Sequence, residues 1–358
     1  MKVDDSLHLF TSIFVCLIVA ITVSSSVSYN LIDNNAFSIG RYGITYDSLE
    51  TISKDDALSV VAIGSSMLYK AVNGTCLRES SSVENTMFYN LALTGSRSYN
   101  DMMKIPRIIN SEIDLVMIEV GVNLLFKMED KSSEYLEMRF TIDTMLQSDA
   151  DVEEWVDVVL PFHKKWLNLN EFERIQARQL YTLDGAELIL EKLVGSEERD
   201  VLYYRKVPEV NTQEWIDYLQ EPNWPVSRLD GMTEIERIKY YDNEMPKSKW
   251  YRPFPNGTAN HAALHYEISE LTNAGIKVIL VGLPHHPEVF QYLDAGQWDG
   301  YNQTIQELSE TYDVDFVEYT FSEGWKDEHF SDRNHLDKEG RIEFCERMTP
   351  ILNAALEG

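Results

Sequence analysis

The sequence predicts an α/β fold built on a parallel sheet of about five strands, and three observations carry that expectation. Short runs, apolar on both sides, recur at Ser59–Ile63, Met87–Leu93, Leu115–Val120, Lys277–Val281 and Asp315–Tyr319, as strands covered on both faces must be. Helical patterns lie between them, at Tyr99–Asn110 and His261–Asn273, with a last one at Leu336–Leu356. The residues just after the strands are rich in glycine and polar side chains, and ligands of open parallel sheets bind beyond those strand ends.

The bulk numbers bound the rest. At 358 residues the chain is long for one domain, and 44% hydrophobic residues can support a full core. A net charge of −28 argues against nucleic acid or an anionic membrane face as the main partner, because phosphates would be repelled. The three cysteines, Cys16, Cys76 and Cys345, make no disulfide framework and no zinc cluster. Cys76 and Cys345 form either one bridge, outside the cell, or two buried thiols.

Taken in order, the chain opens on a membrane signal. Leu7 to Val27 is nearly uncharged and about the length that crosses a bilayer. It predicts an uncleaved anchor within residues 1–30 and a single-pass protein of the cell membrane whose remaining residues are extracytoplasmic. A cleaved signal peptide is the rival, with Ser24 to Ser26 as the small residues for cleavage. Sequons at Asn73, Asn256 and Asn302 are compatible with either. Residues 31–57 are polar and irregular and read as a stalk. Residues 58–127 hold the first part of the core, and 259–358 the second. Gly275 in "NAGIK" is placed to close the helix before the fourth strand.

Residues 128–258 break the strand–helix rhythm. They are rich in Trp, Tyr, Glu and Lys, with helical stretches at Asn170–Val194 and Met232–Asn243. A structureless loop of that length is rare in a compact domain. The segment therefore reads as a large, mostly helical insertion, expected to form a lid or side wall over the edge where the third strand ends.

The chemistry sits on the post-strand residues. "VVAIGSSMLYKAV", Val60 to Val72, leaves a strand through Gly64 and places Ser65 and Ser66 before a possible helix. Serine is a favoured helix cap, and it is also a nucleophile when a base stands beside it. His335 is the best candidate base, and Asp332, three residues earlier, is placed to orient its ring. An oxyanion needs donors aimed at it, and the N–H groups of Ser66 and Gly95 with the side-chain amide of Asn123 are the candidates. Arg97 suits an anionic substrate group, and His285 and His286 suit the pocket wall. His261 and His265 have the spacing of a helical metal pair, but Ala262 stands where the HExxH motif has Glu, so they read as packing or surface.

"IGSS", "NLALTG", "EVGVN" and "DRNH" fall in the order of the four blocks of the SGNH hydrolases, the GDSL esterase/lipase superfamily, which this chain resembles. The usual first block is Gly-Asp-Ser; here Ser65 takes the aspartate's place and Ser66 the nucleophile's. The Ser-for-Asp variant, the anchor and the insertion make it most similar to membrane-anchored surface acyltransferases such as the teichoic-acid D-alanyl transfer proteins. The resemblance implies a flavodoxin-like three-layer α/β/α sandwich and a Ser66–His335–Asp332 acyl-enzyme mechanism on ester-linked acyl groups of surface glycans or polyols. That mechanism needs no metal or organic cofactor. A non-catalytic surface binding or assembly protein on the same scaffold is the alternative, motivated by the imperfect first block and the insertion.

Overall fold

The computed structural model describes residues 10–16, 18–19, 45, 48–49, 52, 57–93, 96–121, 217, 219–220, 232–244, 259–292 and 295–358. The chain divides into two compact units, residues 1–44 with 165–207 and residues 45–164 with 208–358. In the first, residues 10–16 and 18–19 are helical, with Phe10, Ile13, Phe14, Val15, Ile18 and Val19 exposed. Among the described residues no helix is long and apolar enough to cross a membrane, and most of the expected anchor lies outside them.

The second unit holds a five-stranded, all-parallel sheet. Its strands are β1 (Leu58–Ile63), β2 (Thr86–Asn90), β3 (Leu115–Glu119), β4 (Lys277–Gly282) and β5 (Asp315–Glu318), in the order β2-β1-β3-β4-β5. That order is the flavodoxin-like one, and it puts the crevice where the chain reverses direction across the sheet, beside β1. Alternate residues serve opposite faces. Val60, Ala62, Phe88, Met117, Ile279 and Val281 belong to one hydrophobic core, packed with α1 (Ser66–Ala71), α2 (Gly74–Ser80) and α8 (Lys338–Glu357). Val61, Ile63, Val116, Ile118 and Leu280 are buried toward the other face. There α6 (Ala259–Asn273) packs against α3 (Ser98–Asp101), α4 (Ile105–Asn110) and α7 (Ala295–Tyr312). The three-layer α/β/α architecture follows.

Local chemistry explains the boundaries. Ser65, Asn73 and Asp337 cap α1, α2 and α8, each side chain accepting a backbone N–H of the first turn. Gly275, at φ +81°, ends α6, and Ile276 N–H closes back on the Leu271 carbonyl. The helix expected over 99–110 is broken by a 3₁₀ turn, Met102–Lys104, just before Pro106. Proline has no N–H to continue an earlier ladder but suits a first helical turn. Cys76 and Cys345 are joined in a disulfide, with Cα atoms 6.3 Å apart, tying α2 to α8.

Two stretches differ from the sequence reading. Within the expected stalk, Thr45, Ser48, Leu49 and Ile52 are helical and buried. Their spacing of three and four residues is one face of a helix, which makes the end of that stretch part of the folded unit. Of the 128–258 segment, residues 217, 219–220 and 232–244 are described, the last holding α5 (Glu234–Glu244); Asn170–Val194 lies outside the described residues. Gln220 receives a hydrogen bond from Arg78 on α2 at 3.0 Å, and its amide lies 3.8 Å from the Met87 sulfur on edge strand β2.

Candidate active site

The nucleophile turn is built from the end of β1. Gly64 has φ +154°, and a Cβ there would stand 2.5 Å from Glu119 Cβ and 2.7 Å from Glu119 Oε2. Only glycine lets the two strand ends approach that closely. The two serines that follow then take different roles. Ser65 is 2% exposed; its hydroxyl donates to Glu119 Oε1 at 2.8 Å and accepts Met67 N–H at 3.2 Å. Ser66 turns the other way, and its Oγ lies 2.8 Å from His335 Nε2. Ser65 therefore serves as the cap, and Ser66 is the serine that meets an imidazole.

His335 comes from the loop between β5 and α8. A bridge between Phe330 and Leu336 closes that loop, and Ser331 donates its N–H and its hydroxyl to the His335 carbonyl, at 2.8 and 3.2 Å. Asp332 sits inside it. Its Oδ1 accepts the N–H of Asn334 at 3.0 Å and of His335 at 2.8 Å, and its Oδ2 lies 2.7 Å from His335 Nδ1. With Nδ1–H donated to the carboxylate, Nε2 is left as the acceptor that a serine proton needs. Burial works against the Asp332 charge, but the charge and hydrogen bond of His335, the Asn334 N–H and the positive charge of Lys70 outweigh it. The carboxyl is held well below its ordinary range.

A second carboxylate, not singled out in the sequence, stands behind the serines. Glu119 ends β3, is 1% exposed, and accepts Ser65 N–H at 2.6 Å and Leu68 N–H at 3.3 Å through Oε2. Burial pushes its pKa up to about 7, against the pull of those hydrogen bonds. The signal was in the sequence: a lone Glu ends an otherwise apolar strand, Leu115 to Glu119.

The remaining expected residues divide. Gly95 and Asn123 lie outside the described residues, so of the three oxyanion donors only Ser66 N–H is described. Arg97 is partly buried, its Nη1 3.4 Å from the Ser96 carbonyl. His285 is 2% exposed and His286 fully buried, so neither presents a face to solvent. Burial, with the nearby charges of Arg333 and His335, lowers the His285 pKa to about 3 and keeps the ring neutral. His286 pins the loop that carries Asp332 and His335: its N–H donates to the Arg333 carbonyl at 3.0 Å, and its Nδ1 accepts Glu288 N–H at 3.2 Å. Its ring packs between Phe330 and Tyr241 of α5, centroids 5.5 and 4.9 Å away. His261 and His265 stack edge to face at 4.5 Å, and His265 Nδ1 lies 3.0 Å from the Tyr312 hydroxyl. They are packing residues, and no metal-binding group of three or more His, Cys, Asp or Glu occurs among the described residues.

No protein-family model matches this chain, and no curated protein matches it either. Among solved structures it aligns with the crystal structure of a carbohydrate acetylesterase family member from Sinorhizobium meliloti, at 12% identity and a TM-score of 0.32. That alignment covers 84% of this chain and 99% of the other. So distant a likeness carries no functional weight, and the fold assignment rests on the sheet order and register themselves.

Proposed function

We propose that this protein is a serine esterase or O-acyltransferase of the SGNH type. The observation that supports it most is the continuous chain Ser66 Oγ, His335 Nε2, His335 Nδ1, Asp332 Oδ2, with links of 2.8 and 2.7 Å. Both lie within the direct hydrogen-bond reach a general base requires, about 2.6–3.2 Å. Ser66 attacks an ester carbonyl while His335 takes its proton. His335 then returns that proton to the leaving alcohol as the tetrahedral intermediate collapses to an acyl-enzyme. Asp332 holds the ring and stabilises its charged form, and Ser66 N–H faces the oxyanion with Gly95 N–H and the Asn123 amide as partners. Water or a second hydroxyl then releases the acyl group. No step requires a metal or organic cofactor.

The proposed substrates are ester-linked acyl groups on surface glycans or polyols, with residues 1–30 anchoring the chain to the cell membrane and the rest extracytoplasmic. The Cys76–Cys345 disulfide supports that compartment, since such bonds persist in oxidising surroundings. The excess of acidic residues supports a neutral or cationic substrate over a polyphosphate. Purified protein incubated with O-acetylated and D-alanylated glycans, with and without an acceptor alcohol, tests the reading. Release or transfer of acyl groups that disappears in Ser66→Ala is expected. A folded wild type that binds these glycans and turns none over would favour a binding protein on the same scaffold.

A further inference from the structure

Glu119 takes no part in the proton transfers above, yet its carboxylate organises the whole nucleophile turn. Oε2 accepts the N–H groups of Ser65 and Leu68, and Oε1 accepts the Ser65 hydroxyl. Ser65 Oγ in turn accepts Met67 N–H, and the Ser65 carbonyl accepts Tyr69 N–H at 2.9 Å. From Ser65 to Tyr69 every backbone N–H is thereby engaged except one, that of Ser66, among the described residues. The same residue carries the hydroxyl aimed at His335.

We propose that Glu119 is a positioning residue for Ser66, resting on the esterase reading above. By accepting the donors on either side of Ser66, it leaves the Ser66 N–H free for an oxyanion and fixes the direction of Oγ. It also holds the neighbouring hydroxyl of Ser65 in the core, so the two serines cannot exchange roles. The job needs an acceptor-only group: a carboxylate takes all three hydrogens, whereas a glutamine brings two N–H donors of its own. It also needs Gly64, because a side chain there would strike Glu119. Gly64, Ser65 and Glu119 act as one device. The negative charge of Glu119 opposes a nearby oxyanion, so its contribution is geometric, worth the difference between an aligned and a misaligned nucleophile.

The test compares full-length wild type, Glu119→Gln, Glu119→Asp and Ser65→Ala. A small fluorophosphonate reports the labelling rate of Ser66, p-nitrophenyl acetate gives kcat and KM, and thermal unfolding reports the fold. Glu119→Gln is expected to lower labelling and kcat by about tenfold or more, with KM changed less than about threefold. Thermal unfolding is read beside it, and the loss of labelling is expected to exceed any loss of folded fraction. Glu119→Asp, a shorter acceptor, should fall between. Should Glu119→Gln not fold, Ser65→Ala decides: labelling slowed several-fold is expected, and labelling at the wild-type rate overturns the proposal. Unchanged or faster labelling of folded Glu119→Gln overturns it too, as does a loss that only tracks unfolded protein. A wild type that is never labelled at Ser66 sinks the esterase reading, and this inference with it; wild-type labelling with an indifferent Glu119 sinks this inference alone.

Discussion

Two carboxylates serve Ser66, and they are built in opposite ways. Asp332 lies on a loop, with its side chain about a fifth exposed, and its charge is held by the facing imidazole, two N–H groups and Lys70. Glu119 lies in the core at the end of β3, and its donors are two backbone N–H groups and one hydroxyl. The first is pushed below its ordinary range, the second up to about 7, chiefly by burial. The difference shows a division of labour. The group that faces a changing charge is paired with the imidazole, and the group that only holds geometry is buried among neutral donors.

The largest expected effect comes from removing what Asp332 answers to. His335→Ala and Ser66→Ala should each lower kcat on a small ester by about 10⁶-fold, since triad members act as a unit. Asp332→Asn keeps the shape but spoils the tautomer, and a loss of about 10⁴-fold is expected. Steady-state rates against a folded control check both, and equal losses for Asp332→Asn and Glu119→Gln would erase the contrast between the two carboxylates.

The pH dependence of stability separates them by sign. Asp332 releases its proton more readily in the folded chain than in the unfolded one. Its contribution is therefore present at neutral pH and is lost as pH falls below its ordinary value of 3.8. Glu119 holds its proton more tightly when folded. The folded state therefore loses stability as pH rises from 4.5 to about 7, by about 3 kcal/mol at most. Asp101 and Glu267 are raised by burial in the same sense and add to that slope. Urea unfolding across this range should give a shallower slope for Glu119→Gln than for wild type. Parallel slopes would mean that Glu119 is already neutral or already solvated.

Two smaller effects act as controls on the same contrast. Replacing Cys76 and Cys345 by serine removes the tie between α2 and α8 and should cost about 2–5 kcal/mol of stability, read from denaturant midpoints. Activity per folded molecule should be unchanged, because neither carboxylate is touched. The least effect belongs to Tyr241→Ala, which removes a ring from His286 behind the catalytic loop. A loss of about 0.5–1.5 kcal/mol of stability is expected, read from denaturant midpoints, with kcat on a small ester within about twofold of wild type.

The sheet and the hydrogen-bonded chain Ser66–His335–Asp332 were legible because their signals are local. Each strand is a short apolar run, and each starts and stops within a few residues of its expected place. Ser66, Asp332 and His335 follow strands β1 and β5, so the parallel topology alone brings them to one edge. What was not legible is what depends on a long-range partner. Among the side chains described on helix α7, Tyr301, Thr304, Ile305 and Leu308 are buried between polar neighbours, so its pattern is faint until β5 lies beneath it. Glu119 and Ser65 are 54 residues apart, and nothing in either stretch announces their contact. The same holds for His286, whose burial between Tyr241 and Phe330 replaces the open pocket wall expected of a loop histidine.

The claim at the centre is that the two adjacent serines are not equivalent. A fluorophosphonate-treated sample of the full chain, digested and mapped by mass spectrometry, tests it directly. A single phosphonate adduct on Ser66 is expected, with none on Ser65 and none on either serine in His335→Ala. An adduct on Ser65, or an unmodified Ser66 in folded wild type, would contradict it.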